Sequence, residues 1–106
     1  MTLMHLEWSV LSLADRTAIF ETIEADNPRA AIDMDDRIQT RVEGLARFPE
    51  MGRPGRIEGT RELVIARTPY IAAYRIVGDT VRILRVLHGA QMWPDEMPEE
   101  PEEHSS

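Results

Sequence analysis

Residues 60–88 read TRELVIARTPYIAAYRIVGDTVRILRVLH, and they decide the fold. Thr60 to Arg67 is a β-type run. Thr68-Pro69 breaks it, because proline has no N–H to give to a strand ladder. Tyr70 to Val77 is a second run. Gly78-Asp79 then supplies a two-residue hairpin turn before a third, Thr80 to His88. Three β-type runs joined this closely predict consecutive antiparallel strands. Side-chain alternation places Arg82, Leu84, Val86 and His88 on one face of the last strand and Val81, Ile83, Arg85 and Leu87 on the other. Arg61, Leu63, Ile65 and Arg67 share a face of the first strand, and Arg75 alternates with Tyr74 in the second. Arginine therefore recurs on three neighbouring strands.

Upstream, Leu3 to Trp8 reads as a short strand. Ser9 or Ser12 can cap a helix that runs to about Ala25, with apolar residues around most of its circumference. Such a helix is buried on more than one side or receives a partner. Asp26-Asn27-Pro28 is a stop and restart, with Asn27 as N-cap and Pro28 at the first helical position. From Pro28 to about Arg47, Ala31, Met34, Ile38, Val42 and Leu45 form an apolar stripe. The short link predicts a helix hairpin. Phe48 to Gly59 is a Gly/Pro-rich loop. The order β-α-α-β-β-β predicts an α+β domain, with a helix hairpin packed on an antiparallel sheet. The domain is expected over residues 1–93. Residues 94–106 carry three prolines and six acids, and are expected to form a disordered acidic tail.

The chain of 106 residues has room for one domain. With no cysteine, disulfides, thiolate catalysis and Cys-based zinc sites are excluded. No apolar run approaches the ~20 residues of a membrane span, and no signal peptide is evident. A cytoplasmic protein is expected. The net charge of −7 conceals a basic segment: residues 53–93 hold seven arginines against three acids. All twelve basic residues are Arg. Arg grips phosphate bidentately as Lys cannot, although a GC-rich genome yields the same bias.

The arginines of the three strands would suit a nucleic-acid backbone, or lie over the sheet with packed stems and solvated heads. Arg53 and Arg56, in the Gly52–Arg56 turn, could meet phosphate, but that turn lacks the Lys and Ser/Thr of a phosphate-binding P-loop. His88, ending a strand in the basic segment, could act as general acid or base, or be simply a partly exposed side chain. The acids do not converge as metal ligands, and no nucleophile elbow is present. No metal or cofactor is expected.

Several stretches, read in order, resemble the RelE/ParE superfamily of toxins from type II toxin–antitoxin modules. They are Ala14-Asp15 with Ile19 and Ile23, Asn27-Pro28 with Ala30-Ala31, and Phe48 to Pro54. Thr60 to Val64, Pro69-Tyr70-Ile71 with Tyr74-Arg75, and Ile83 to His88 complete the set. The resemblance spans about residues 5–94. It implies a cognate antitoxin that folds onto the toxin in a hetero-oligomer, with the apolar first helix as a suitable seat, and operator DNA bound only through that antitoxin. The activity it leads us to expect is that of a ribosome-dependent mRNA endonuclease that arrests translation, with a ParE-like gyrase poison as the alternative. RelE/StbE-like members cleave mRNA on the ribosome without metal, whereas ParE-like members poison DNA gyrase and need no nuclease site. As a metal-independent mRNA endoribonuclease, the chain would use His88 to shuttle a proton. Arg61, Arg67 or Arg85 would stabilise the developing charge while the 2′-hydroxyl attacks its own phosphate. Arg53, Arg56, Arg67 and Arg75 would hold the RNA. RelE-type enzymes carry an Arg early in the middle strand, where this chain has Ile71. An inactive relative that only binds an antitoxin is the third reading.

Overall fold

The computed structural model describes residues 2–95 and 97. The expected acidic tail falls, from residue 98 onward, outside the described residues. The elements are β1 (His5–Trp8), α1 (Val10–Glu24), α2 (Pro28–Glu43), a 3-10 turn (Gly44–Ala46), β2 (Arg53–Pro54), β3 (Arg61–Val64), β4 (Tyr70–Val77) and β5 (Thr80–His88). The α+β class and the helix hairpin on a sheet are as expected.

Local chemistry sets the helix ends. The Ser9 side chain accepts from the Ser12 N–H and caps α1, and Asn27 accepts from the Ala30 N–H and caps α2, with Pro28 opening the helix. The α2 stripe delivers Ile38 and Val42 to the core, and Leu45 follows from the 3-10 turn. Ile38, Val42 and Leu45 are fully buried against Leu63, Ile65, Ala72, Tyr74, Val81, Ile83 and Val86. Each such side chain contributes about 1.5–3 kcal/mol on burial. Tyr74 buries its ring and keeps its hydroxyl bonded: the O–H donates to Pro49 O (2.7 Å) and accepts from Gly52 N (3.0 Å). A Cβ at Gly52 would stand 2.7 Å from that ring, so the loop can pass there only as glycine.

Three expectations are corrected. First, the sheet is mixed, not antiparallel. Its order is β1-β5-β4-β3-β2, and β1 runs parallel to β5, with His5 opposite Thr80 and Trp8 opposite Ile83. No hairpin joins β1 to its neighbour. The whole intervening chain is the crossover, so no tight turn imposes antiparallel pairing. Second, the first run of residues 60–88 ends as a strand at Val64. Arg67 adopts φ 65°, which no strand residue takes, and the turn closes when the Thr68 hydroxyl donates to Ile65 O. Third, alternation along β5 is broken. Ala73 pairs with Arg85 and Tyr74 with Ile83, which leaves Leu84 as an extra residue. This bulge shifts the phase by one. Val86 therefore joins Val81 and Ile83 in the core beneath the helices, whereas Leu84 and Leu87 pack on the opposite face with Ile57, Ala73 and Met97.

The start of α1 holds the bulge. Ser9 N–H donates to Ile83 O (2.9 Å) and the Ser9 hydroxyl to Leu84 O (2.8 Å). Asp15 accepts from Val86 N–H (2.8 Å) and takes the Arg85 guanidinium on both oxygens (2.8 and 2.9 Å). One carboxylate thus satisfies a backbone donor that the bulge releases and a half-buried cation. Asp15→Ala strands both, and should lower unfolding stability by about 3 kcal/mol. Urea denaturation measures this; a loss within about 0.5 kcal/mol, as at an ordinary surface position, would contradict it.

Candidate functional site

The two faces of the sheet carry different chemistry. On the face away from the helices, Glu62 is 3% exposed and organises the arginine-rich loop. It accepts from Arg53 (3.0 Å), from the Arg56 side chain (3.0 Å) and from Arg56 N–H (2.8 Å). Burial alone would raise the pKa of Glu62. The hydrogen bonds from the Arg56 side chain and backbone, and from Arg53, outweigh burial and hold the carboxyl below its usual range. The Arg56 guanidinium in turn lies 3.7 Å over the ring of Trp93. Trp93 donates its indole N–H to His88 O (3.2 Å), and Met97 fills the apolar patch beside it. Further along this face Arg75 and Arg82 stand opposite each other on β4 and β5. Arg75 reaches Gly59 O (3.4 Å), and Arg82 pairs with Glu7 of β1 (2.6 Å).

The remaining candidates lie elsewhere. His88 ends β5 opposite Tyr70, ring edge to ring face at 5.7 Å. Its Nδ1 accepts from Ala90 N–H (3.0 Å), which leaves the proton of the neutral ring on Nε2. Arg61 pairs with Tyr74 across β3 and β4 and donates to Glu50 O (3.1 Å), while its Nε is buried without a partner. Tyr70 and Tyr74 are four residues apart on β4, so His88 and Arg61 are separated by about 13 Å along the sheet. Arg85 is held by Asp15. Arg67 lines an open groove of about 500 Å³ with Asp33, Asp36, Arg37 and Arg41 of α2.

The structure therefore brings together Arg53 and Arg56, with Arg75 on the same face, and does not gather His88, Arg61 and Arg85 around one point. Among the described residues, no three His, Asp or Glu side chains cluster to hold a metal. Sequence reading did not single out Glu62, Asp15 or Trp93 as members of the site. For Glu62 a signal was available: it is the acid between Arg61 and Leu63, on the strand face opposite both.

Comparison with known proteins places the chain among the toxins of type II toxin–antitoxin systems. The chain belongs to the ParE toxin family: the model for "ParE toxin of type II toxin-antitoxin system, parDE" matches residues 6–93. It is 47% identical over 94 residues to a protein named "Putative toxin Y4kP" of Sinorhizobium fredii, covering 89% of this chain and 97% of that one. It is 38% identical over 85 residues to "Toxin RelE2" of Caulobacter vibrioides, covering 80% and 94%. Among solved structures it resembles a chain of a chromosomal ParDE system from P. aeruginosa, with a TM-score of 0.76 at 29% identity, over 81% of this chain and 96% of that one. It also resembles a chain of the RelBE2 toxin–antitoxin complex from Mycobacterium tuberculosis, with a TM-score of 0.56 at 26% identity, over 81% and 98%.

Because the folded-state carboxyl of Glu62 titrates below the unfolded value of 4.5, its contribution is complete above that value. The contribution is lost as pH falls through the lower folded-state value. Glu62→Gln should cost about 2 kcal/mol near neutral pH. The gap from the native protein should stay constant down to about pH 5 and shrink below about pH 4. Urea unfolding across this range checks it; a gap that widens on acidification would contradict it.

Proposed function

We infer that this toxin arrests growth by binding and disabling DNA gyrase, as ParE-like toxins do, and does not cut RNA. The observation that carries this reading is the dispersal of the three candidate catalytic groups. A phosphodiester cleavage centre needs its proton-transfer group and its charge-stabilising donors within ~3 Å of the reacting atoms. Here Arg85 is engaged by Asp15, Arg61 lies about 13 Å from His88 along the sheet, and His88 accepts a bond from its own turn through Nδ1. Buried Ile71 stands where RelE-type enzymes carry an Arg. A toxin that works by surface contact needs none of these groups to converge.

The proposed partner is a cognate antitoxin, in line with solved relatives that come from toxin–antitoxin systems. Val10 and Leu13 of α1 and Ile32 of α2 are 61%, 47% and 50% exposed. Beside them an open groove of about 530 Å³ runs between the helices, lined by Leu13, Phe20 and Asp35 among others. An amphipathic antitoxin segment would cover this surface. Gyrase lies in the cytoplasm, where the toxin would act; among the described residues no helix is long and apolar enough to cross a membrane.

Mechanistic reading favouring RNA cleavage has one observation behind it: His88 is half-buried, and its Nε2 is not used by its own turn. Two parallel reactions separate the readings. Purified toxin is added to a ribosome-programmed translation mixture with RNA 5′-end mapping, and to gyrase with supercoiled DNA. Intact mRNA and trapped, cleaved DNA are expected. Codon-spaced mRNA cuts that vanish in a folded His88→Ala variant would overturn the gyrase reading.

A further inference from the structure

We propose that the groove between α2 and the β3–β4 turn binds a nucleoside 5′-phosphate, with Arg37, Arg41 and Arg67 on the phosphate and Asp33 and Asp36 on the sugar or base. The proposal is independent of which target the toxin disables.

The groove follows from the three sides of α2. Ile38 and Val42 face the core, and Asp35 and Gln39 take Arg16 of α1. The remaining side, with Asp33, Asp36, Arg37 and Arg41, meets Ala66 and Arg67 of the β3–β4 turn around an open space of about 500 Å³. Small-molecule sites have this order of volume. It lies on a different side of α2 from the groove that Leu13, Phe20 and Asp35 line.

Three observations point to the ligand. First, three guanidiniums from two elements line one space. Arg41 is set in place by Val64 O, which its Nε reaches at 3.3 Å, and by the Met51 sulfur at 3.2 Å. Arg37 and Arg67 have no hydrogen bond or ion pair among the described residues. Asp33 stands four residues before Arg37, the spacing at which a helix pairs acid with base, and still the two do not pair. Their donors are open to a ligand, and the guanidinium fork suits phosphate oxygens.

Second, Arg67 has φ 65°, in the left-handed region where a Cβ is strained. The other positive-φ positions among the described residues are Gly59 and Gly78. A turn that served the fold alone would favour glycine at 67 as well. The guanidinium is what glycine cannot supply, and backbone outliers of this kind cluster at ligand sites.

Third, the wall carries both signs. The acidic end, Asp33 and Asp36, precedes the basic end, Arg37 and Arg41, along the helix. A long polyanion would meet repulsion at the acidic end. A nucleotide presents phosphate at one end and donors at the other, the ribose hydroxyls and base amines, and carboxylates accept from such donors.

The test titrates 5′-AMP into the full chain and follows nitrogen-15 signals. The Ala66 and Arg67 amides and the Nε–H groups of Arg37, Arg41 and Arg67 should shift saturably at millimolar 5′-AMP. Inorganic phosphate should reach the same arginines about tenfold more weakly or worse, and adenosine should not saturate them. Arg37→Gln and Arg67→Gly should each weaken 5′-AMP about tenfold or more. Arg67→Gly also relieves the strain, so its urea midpoint should equal or exceed that of the native chain. Arg29→Gln, on the same helix outside the groove, should bind as the native chain does. A 5′-phosphorylated trinucleotide separates two sources of the same chemistry: binding as tight as 5′-AMP assigns the site to strand ends, and weaker binding assigns it to free nucleotides. No saturable shift with 5′-AMP, native affinity in Arg37→Gln and Arg67→Gly, an equal loss in Arg29→Gln, or inorganic phosphate binding as tightly as 5′-AMP would overturn the proposal.

Discussion

The carboxylate of Asp15 is the point on which this fold turns. It sits in the second turn of α1 and reaches across the layer to β5. There it holds the Arg85 guanidinium and the Val86 N–H together, while Ser9 takes up the neighbouring Ile83 and Leu84 carbonyls. The β5 bulge would otherwise leave backbone groups unpaired in the interior, at about 1–3 kcal/mol each. With the bulge in place, Val86 turns toward the helices and Leu87 turns away, joining Ala73, Leu84 and Met97 in the second apolar cluster.

The same contact bears on function. Arginine is abundant on the strands, but most of it is engaged in holding structure. Arg85 fastens β5 to α1, Arg53 and Arg56 fasten the loop to buried Glu62, Arg61 reaches a loop carbonyl, and Arg16 bridges Asp35 and Gln39 between the helices. Bidentate guanidinium–carboxylate geometry explains why Arg suits these positions where Lys would not. Open grooves remain beside Arg67 and α2 and between the two helices.

Much of the fold was legible in the sequence, for identifiable reasons. Tyr70–Val77 and Thr80–His88 are strands over those residues because Pro69 and the Gly78-Asp79 turn mark their ends. The Asn27-Pro28 restart is chemically unambiguous. What escaped was set by tertiary contact. The parallel partnership of β1 depends on residues some seventy-five positions away. The bulge at Leu84 leaves no local mark, since Arg-Ile-Leu-Arg-Val-Leu alternates acceptably in either phase. The early end of β3 depends on Arg67 taking a positive φ, which nothing in its side chain announces. Met97 lay in a stretch dominated by Pro and Glu, where composition hides one apolar anchor. Of the site, the arginines were visible by type, but their partners were not: Asp15 and Glu62 look like ordinary surface acids until the fold buries them.

Whether Arg85 serves the architecture is open to direct measurement. A double-mutant cycle with Asp15→Asn, Arg85→Gln and the pair, followed by urea unfolding, isolates their interaction from everything else each side chain does. Coupling of about 1.5 kcal/mol or more is expected if the clamp organises β5. Coupling near zero would contradict it, and would return Arg85 to the pool of groups free to act on a substrate.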